Sequence, residues 1–267
     1  MNVAFDSARV GLSLAFLIYA SWSDFKSREV SNKVWAVLAP IALVLTTLQL
    51  LMSFDPQFLQ TYILSFTITS IISIALFYAG AFGGADAKAL ICLSLALPSH
   101  PNSLLQQSLG FGYSFFPITV FSNAVLLAAS SALYALTRNW LWKQKTGRRL
   151  FEGFEEESAG RKILALLCGY KVNIAKLEEV GHLYPLEDVH TPETGGVKRE
   201  LLIFPKDEDR QPIVDRVLNA KREGQLQDDV WITPGLPMLI FITVGLVIAL
   251  IFGDIIWSVL RLVTATP

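Results

Sequence analysis

Residues 58–80 read FLQTYILSFTITSIISIALFYAG and carry no charged side chain. A helix rises about 1.5 Å per residue and the hydrocarbon core of a bilayer is about 30 Å thick, so about 20 apolar residues can cross it. This stretch is therefore long enough to cross a membrane as a helix. Four more segments meet or approach that length, and they are 4–23, 34–53, 117–137 and 236–262. The five segments together predict a membrane protein.

The composition excludes several classes of protein. Of the 267 residues, 52% are hydrophobic and 17% are charged, and the mean hydropathy is +0.46. An ordinary soluble domain is about a quarter charged, so neither a typical soluble enzyme nor a disordered chain fits. The formal net charge of -1 gives no basic signal for nucleic acid, and we expect no nucleic acid partner.

The charged residues are concentrated in one part of the chain. Only six of the 22 Lys and Arg residues and six of the 23 Asp and Glu residues lie outside residues 138–234. We therefore expect membrane helices one to five in residues 1–137, a soluble domain in 138–234, and a last membrane helix with the C-terminus in 235–267.

The polar insert has mixed secondary-structure signals. An apolar patch at residues 162–167 is typical of a helix, residues 197–204 include a short apolar run typical of a strand, and residues 212–222 could form a short helix. We expect a small α+β appendage.

A sixth apolar segment, residues 87–98, is too short to cross a bilayer alone. It follows a run of small residues at 79–85, in which we expect Gly83 and Gly84 to adopt backbone angles that a Cβ would resist. If this helix still crosses, irregular backbone at membrane depth must be covered by protein or reached by water. The predicted fold is an all-α membrane protein with six transmembrane helices and a small α+β cytoplasmic insert before the last helix.

The basic residues of the loops predict the orientation. Residues 24–33 contain three Lys or Arg, residues 99–116 contain none, and residues 138–149 contain five. Cytoplasmic loops are enriched in Lys and Arg. We therefore expect the insert on the cytoplasmic side and both termini outside.

Two acidic residues stand at predicted cytoplasmic ends of helices, Asp24 after the first helix and Asp86 before the fourth. Two carboxylates held close together cannot both ionise easily. The ionised group can then take a proton from water while the protonated group polarises a carbonyl, which is aspartic-protease chemistry and needs no metal or nucleophilic serine. Composition alone favours another interpretation, in which both are interfacial charges beside Lys26 and Lys88.

The sequence around each aspartate favours the catalytic interpretation over the interfacial one. Residues 23–32, SDFKSREVSN, resemble the first aspartate motif of type IV prepilin peptidases, in which an Asp is followed by a basic residue, then Val or Ile, then Asn. Residues 83–88, GGADAK, resemble the GxGD motif of that family, with Ala85 where glycine is usual. The resemblance assigns Asp24 and Asp86 as catalytic, with support from Gly83, Gly84, Lys88, Arg28 and Asn32.

Three more stretches resemble archaeal preflagellin peptidases of this family, at residues 116–123, 229–237 and 253–254. The resemblance implies a multi-pass GxGD-type aspartic endopeptidase of the cell membrane that uses no cofactor. Its implied partners are archaellin and archaeal pilin precursors and the lipid bilayer. Such a precursor carries a short basic stretch, a cleavage site after a small residue, and a hydrophobic helix.

Other functions remain as alternatives. A bifunctional prepilin peptidase and N-methyltransferase would share the aspartate motifs but commonly carries cysteine pairs, whereas this chain has only Cys92 and Cys168. A small transporter could use Asp24 and Asp86 for ions.

Other polar residues have expected roles of their own. His182 and His190 flank two acidic residues at a spacing that matches no metal-ligand motif, so no metal is expected. Glu155, Glu156 and Glu157 are expected to form a solvated face. Asn123 and Asp254 are expected to form hydrogen bonds inside the helix bundle.

Overall fold

A computed structural model describes residues 2–101, 115–181, 183–190, 198–202, 210–226, 228–234 and 237–264. The chain forms two compact units. The first contains Met1–Ala128 and Pro237–Pro267, and the second contains Ala129–Leu236. The boundary lies inside a long helix, α5.

The first unit is helical. Its elements are α1 (Asn2–Ser27), α2 (Asn32–Met52), α3 (Pro56–Tyr78), α4 (Gly84–Ala96), the start of α5 (Phe116–Thr146), α9 (Met238–Phe252) and α10 (Ile255–Thr264). Ser31 caps α2 by accepting a hydrogen bond from the backbone N–H of Lys33, and Asp55 caps α3 in the same way.

Four helices, α1, α2, α3 and α5, are long and apolar enough to cross a membrane. The helices α9 and α10, bent by 49° at their junction, provide a fifth span if they are counted together. The chain is therefore a mostly helical, multi-pass membrane protein. Helix α4 has 13 residues, about 20 Å of helix, so the sixth crossing stays a prediction.

The last apolar segment is not the single helix that its hydropathy predicts. Gly253 has a φ of 73°, which interrupts the helix, and two side chains hold the break. The Asn123 amide donates to the Gly253 carbonyl at 2.9 Å and accepts from the Ile255 N–H at 3.0 Å. Asp254 Oδ1 accepts from the Trp257 N–H at 3.0 Å and so caps α10. The hydrogen bonds expected of Asn123 and Asp254 inside the bundle are present.

Helix α3 buries a polar face. Its buried residues are Ser65, Thr69 and Ser73, spaced four apart on one side of the helix, while its apolar residues face outward. Small residues at this spacing allow membrane helices to approach closely. Helix α4 packs against α2 and α3 and is buried along most of its length.

The backbone expected for Gly83 and Gly84 is wrong. Gly83 has an extended backbone with a φ of -71°, and Gly84 opens helix α4. The left-handed backbone of this run is at Gly80, which has a φ of 74° after the end of α3. At Gly83 the feature that distinguishes glycine is instead the closeness of the Asp86 carboxylate.

The second unit contains the end of α5 and a small sheet-containing region. Its other elements are α6 (Ala159–Cys168), β1 (Tyr170–Asn173), α7 (Ala175–Glu179), β2 (Leu183–Pro185), β3 (Glu187–His190), β4 (Lys198–Leu201), α8 (Arg210–Arg222) and β5 (Asp229–Pro234). Strand β5 pairs antiparallel with β1 and β2, and β3 pairs antiparallel with β4. The α+β character of the insert is confirmed. The strand expected at residues 197–204 is β4, and residues 197, 203 and 204 lie outside the described residues.

The core of the second unit lies between α8 and the strands. Helix α8 buries Ile213, Val214, Val217 and Ala220 against them. Its apolar side faces inward, as expected for a helix of a folded domain.

Candidate active site

Asp24 lies in the last turn of α1, next to an unusual turn. The Arg28 N–H donates to the Asp24 carbonyl at 2.9 Å, and Arg28 has a φ of 57°, which non-glycine residues rarely adopt. The hydroxyls of Ser23 and Ser27 both donate to the Glu29 carbonyl, at 2.8 and 3.1 Å. These bonds fix the path of the chain between α1 and α2.

Asp86 lies in the first turn of α4, where the partial positive charge of the helix end favours an acidic side chain. Its Oδ2 accepts a hydrogen bond from the Gly83 N–H at 3.0 Å. A Cβ at Gly83 would lie 3.1 Å from this oxygen, which is a tight contact, whereas a Cβ at Gly84 would lie 3.6 Å from Phe77 Cε2. Gly83 therefore leaves room for the carboxylate.

A hydrogen bond joins the two motifs. Lys88 Nζ donates to Asn32 Oδ1 at 2.7 Å, although the two residues are 56 positions apart. Asn32 is the first residue of α2, directly after the turn that follows Asp24, and Lys88 lies in the first turns of α4. The bond therefore holds the start of α4 beside the α1–α2 turn.

The two aspartates lie within electrostatic range of each other. Arg28 also acts electrostatically on Asp24. Both aspartates are partly exposed. All seven residues assigned from the motifs meet at this end of the first unit, and they are Asp24, Arg28, Asn32, Gly83, Gly84, Asp86 and Lys88.

One contact near the site had no signal in the sequence. The hydroxyls of Ser21 and Thr243 are 2.7 Å apart, and Thr243 also donates to the Leu239 carbonyl at 2.8 Å. Ser21 lies one turn before Asp24, so this pair fastens α1 to α9 beside the aspartate. A serine or threonine in an apolar helix suggests a hydrogen bond, but the sequence does not identify its partner.

Asp254 lies away from this cluster. It follows the end of α9, 11 residues beyond Thr243, which corresponds to about 16 Å along a helix. Asp254 is buried, and its Oδ2 has no hydrogen-bond partner among the described residues.

Glu155, Glu156 and Glu157 have partners within the second unit. Glu155 Oε1 accepts from the Gly153 N–H at 3.1 Å, Glu156 pairs with Lys198 at 3.1 Å, and Glu157 Oε1 accepts from the Leu201 N–H at 2.9 Å. Glu155 and Glu156 are exposed as expected, whereas the Glu157 carboxylate is mostly buried.

No group of three or more His, Cys, Asp or Glu side chains that could hold a metal occurs among the described residues, which do not include His182. The acidic residues beside it form ion pairs instead. Arg199 Nη2 donates to both Glu187 oxygens, at 2.8 and 2.9 Å, and Arg216 pairs with Asp188 at 2.6 Å. Burial raises the pKa of Glu187, although Arg199 opposes the shift.

A lysine of the second unit is buried between two indole rings. Lys171 Nζ lies 4.6 Å from the ring centroid of Trp142 and 5.9 Å from that of Trp231. Burial lowers the pKa of Lys171 to about 8. Cation–π contacts stabilise the ammonium in this environment, so Lys171 has a structural role in the core.

Two family profiles match this chain. The profile of the type IV leader peptidase family matches residues 11–134, which contain both aspartates. The profile described as archaeal peptidase A24 C-terminus type II matches residues 161–255. The chain belongs to the type IV leader peptidase family. It is therefore a peptidase, and its matched regions cover most of the two units.

Three relatives of this family are named preflagellin peptidase. The relative from Methanococcus voltae is 28% identical over 253 residues, 93% of this chain and 97% of the relative. The relative from Methanococcus maripaludis is 26% identical over 89% of this chain and 92% of its own length. The relative from Methanocaldococcus jannaschii is 22% identical over 89% of this chain and 91% of its own length.

Proposed function

We propose that this protein is a membrane aspartic endopeptidase that removes the short leader peptide from archaeal preflagellins and type IV pilin-like precursors. The names of its relatives and its family support leader-peptide removal. The observation that carries the aspartic mechanism is the hydrogen bond from Lys88 Nζ to Asn32 Oδ1, which holds the start of α4, with Asp86, beside the turn that follows Asp24.

The chemistry requires the two carboxyl groups to hold different protonation states. One carboxylate takes a proton from a water molecule, whose oxygen attacks the scissile carbonyl carbon. The other carboxyl group donates a hydrogen bond to the carbonyl oxygen as negative charge develops there. The C–N bond then breaks as the leaving amine gains a proton. Asp24 and Asp86 fill these two roles as a pair.

The position of the pair fits a substrate that enters from the membrane. The hydrophobic helix of the precursor lies in the bilayer beside the helices of the enzyme, and its basic leader lies in water at the end where Asp24 and Asp86 are found. Both aspartates are partly exposed, which agrees with a cut at the membrane surface.

The proposal includes six crossings, with α4 as the short fourth one. Protein covers α4 along most of its length, so the helix does not need to match the thickness of the lipid. The termini are then outside and the second unit is cytoplasmic. Single cysteines at Thr146 and Asn102, in a chain with Cys92 and Cys168 replaced, test this orientation with an impermeant thiol reagent. Labelling in intact cells is expected at residue 102 only, and labelling at 146 contradicts the orientation.

The function is tested with purified full-length protein in detergent. The substrate is a synthetic precursor with a short basic leader, a glycine before the cleavage site and a hydrophobic helix. We expect one cut directly after the glycine, identified by the N-terminus of the product, and the same rate in the presence of a strong chelator. Loss of cleavage with the chelator that zinc restores would identify a metalloprotease and overturn the proposal.

A further inference from the structure

Helix α6 turns its apolar side away from the second unit. Its exposed face includes Gly160, Ile163, Leu164, Leu167 and Cys168, at the i, i+3, i+4, i+7 and i+8 spacing of one helix side. The exposed fractions of Ile163, Leu164 and Leu167 are 56%, 39% and 39%. In a domain surrounded by water, this side would face the core.

The exposed apolar residues of the second unit are confined to two helices. Among its described residues, every exposed large hydrophobic side chain lies on α5 or α6, and α7, α8 and the five strands carry none. Helix α8 of the same unit buries its apolar side. Because exposed apolar patches mark interaction sites, the α6 face requires a partner.

Hydrogen bonds fix the position of α6 along α5. Asn139 on α5 donates from Nδ2 to the carbonyl of Gly169, the first residue after α6, at 2.8 Å. Its Oδ1 accepts from the Lys171 N–H at 3.3 Å. The rings of Tyr134 and Tyr170 pack edge to face with centroids 5.8 Å apart. The C-terminal end of α6 is therefore held beside Asn139.

Asn139 lies where α5 leaves the membrane. The apolar segment 117–137 is about 30 Å long as a helix and ends two residues before it. Tyr134 and Trp140 are exposed at this level, where amphipathic aromatic rings favour the interface between lipid and water. The C-terminal end of α6 is thus at the height of the lipid headgroups.

The charge beyond this level favours a lipid surface over a protein partner. Four exposed basic residues lie in the last turn of α5 and directly after its end, and they are Lys143, Lys145, Arg148 and Arg149. A helix with an apolar face and neighbouring basic residues is typical of binding in the plane of an anionic bilayer.

We propose that α6 lies in the headgroup region of the bilayer, with Ile163, Leu164 and Leu167 directed at the acyl chains. The second unit is then fastened to the membrane at three places, through α5, through α9 and through α6. This inference depends on α5 crossing the membrane and does not depend on peptidase activity, so the two proposals fail separately.

The native Cys168 provides a probe on the proposed lipid-facing side. Full-length protein with Cys92 replaced by alanine is labelled at Cys168 with an environment-sensitive fluorophore and reconstituted in vesicles of phosphatidylcholine and phosphatidylglycerol. The matched control carries Cys168→Ser and Glu223→Cys, which places the label at an exposed residue after α8. We expect brominated lipids to quench the label at 168 at least threefold more than at 223, and aqueous iodide to show the reverse order.

A second variant tests the contribution of the apolar side chains. Leu164→Ser with Leu167→Ser should at least halve the quenching by brominated lipid at Cys168, while far-UV circular dichroism stays unchanged because neither side chain is in the core. Equal iodide quenching at positions 168 and 223 in vesicles would overturn the proposal. Shielding of Cys168 that requires addition of a precursor peptide would also overturn it and would assign the face to protein binding.

Discussion

The two carboxylates of the candidate active site and two buried carboxylates of the second unit are held in opposite ways. In the second unit the buried Glu187 and Asp188 each pair with an arginine, at 2.8 and 2.6 Å. In the first unit Asp24 and Asp86 form no salt bridge with any described residue, although each is within electrostatic range of the other. A paired carboxylate stabilises a fold and is unavailable for proton transfer, whereas the unpaired carboxylates at the end of the membrane unit remain available for chemistry.

The largest expected effect is the loss of cleavage when either unpaired carboxylate is replaced. Asp24→Asn and Asp86→Asn should each abolish cleavage of the synthetic precursor, because asparagine keeps the shape of the side chain but cannot exchange a proton. The matched control is Asp254→Asn, which keeps the oxygen that accepts from the Trp257 N–H and should retain activity. Gel-shift assays with equal amounts of inserted protein check this prediction, and robust cleavage by either dyad variant contradicts the assignment.

The paired carboxylates should instead control stability. Glu187→Gln leaves Arg199 buried without its charge partner, which should cost about 3–5 kcal/mol in the second unit. Ser73→Ala in the first unit should change stability by less than about 0.5 kcal/mol, because the Ser73 hydroxyl forms no hydrogen bond with a described residue. Hydrogen exchange measured separately for β5 and α3 distinguishes the units. An unchanged β5 in the Glu187 variant would show that the pair contributes little.

Substitution of two adjacent glycines in the first unit should have different effects on kcat. Gly83→Ala places a Cβ 3.1 Å from Asp86 Oδ2, and displacement of this carboxylate should lower kcat about 10-fold or more. Gly84→Ala makes only ordinary contacts, the nearest at 3.6 Å, and should keep kcat within about twofold. Steady-state cleavage of the synthetic precursor measures both. Equal effects of the two substitutions on kcat would show that the contact between a Cβ at position 83 and the Asp86 carboxylate does not control the rate.

A smaller effect concerns pH and the second unit. Burial lowers the pKa of Lys171 to about 8, so between pH 8 and 10.5 the unfolded chain binds this proton more than the folded chain does. Stability of the second unit should therefore rise with pH across this range. The midpoint of urea unfolding, measured by tryptophan fluorescence, reports this stability at each pH. Lys171→Met should remove the contribution of Lys171 to the rise of the midpoint with pH, and the exposed Lys176→Met should leave the rise in place. A wild-type slope in the Lys171 variant would contradict the prediction.

The sequence predicted the local features of this fold well. Charge-free segments such as 58–80 are stable in lipid as helices, which satisfy their own backbone hydrogen bonds. The paired motifs around Asp24 and Asp86 identified the residues that the structure brings together. Two features that sequence reasoning missed have no signal at their own positions. Arg28 carries no signal for a φ of 57°, and the break after α9 depends on Asn123, which is 130 residues from Gly253.

The glycine run shows a different limit. Glycine signals either a positive φ or a close approach of other atoms, but it does not identify which of the two applies. At Gly80 the reason is a positive φ, and at Gly83 it is the neighbouring Asp86 carboxylate. The apolar face of α6 has the same ambiguity, because its spacing fits a buried side as well as a lipid-facing side.

The dependence of the initial cleavage rate on pH tests most directly whether Asp24 and Asp86 act as a pair. The assay uses the full-length protein in detergent, the synthetic precursor and a strong chelator at each pH. One ionised and one protonated carboxyl group predict a bell-shaped profile that the chelator leaves unchanged and that is absent at every pH in Asp24→Asn and Asp86→Asn. A profile with a single limb that either variant retains would contradict the two-aspartate mechanism.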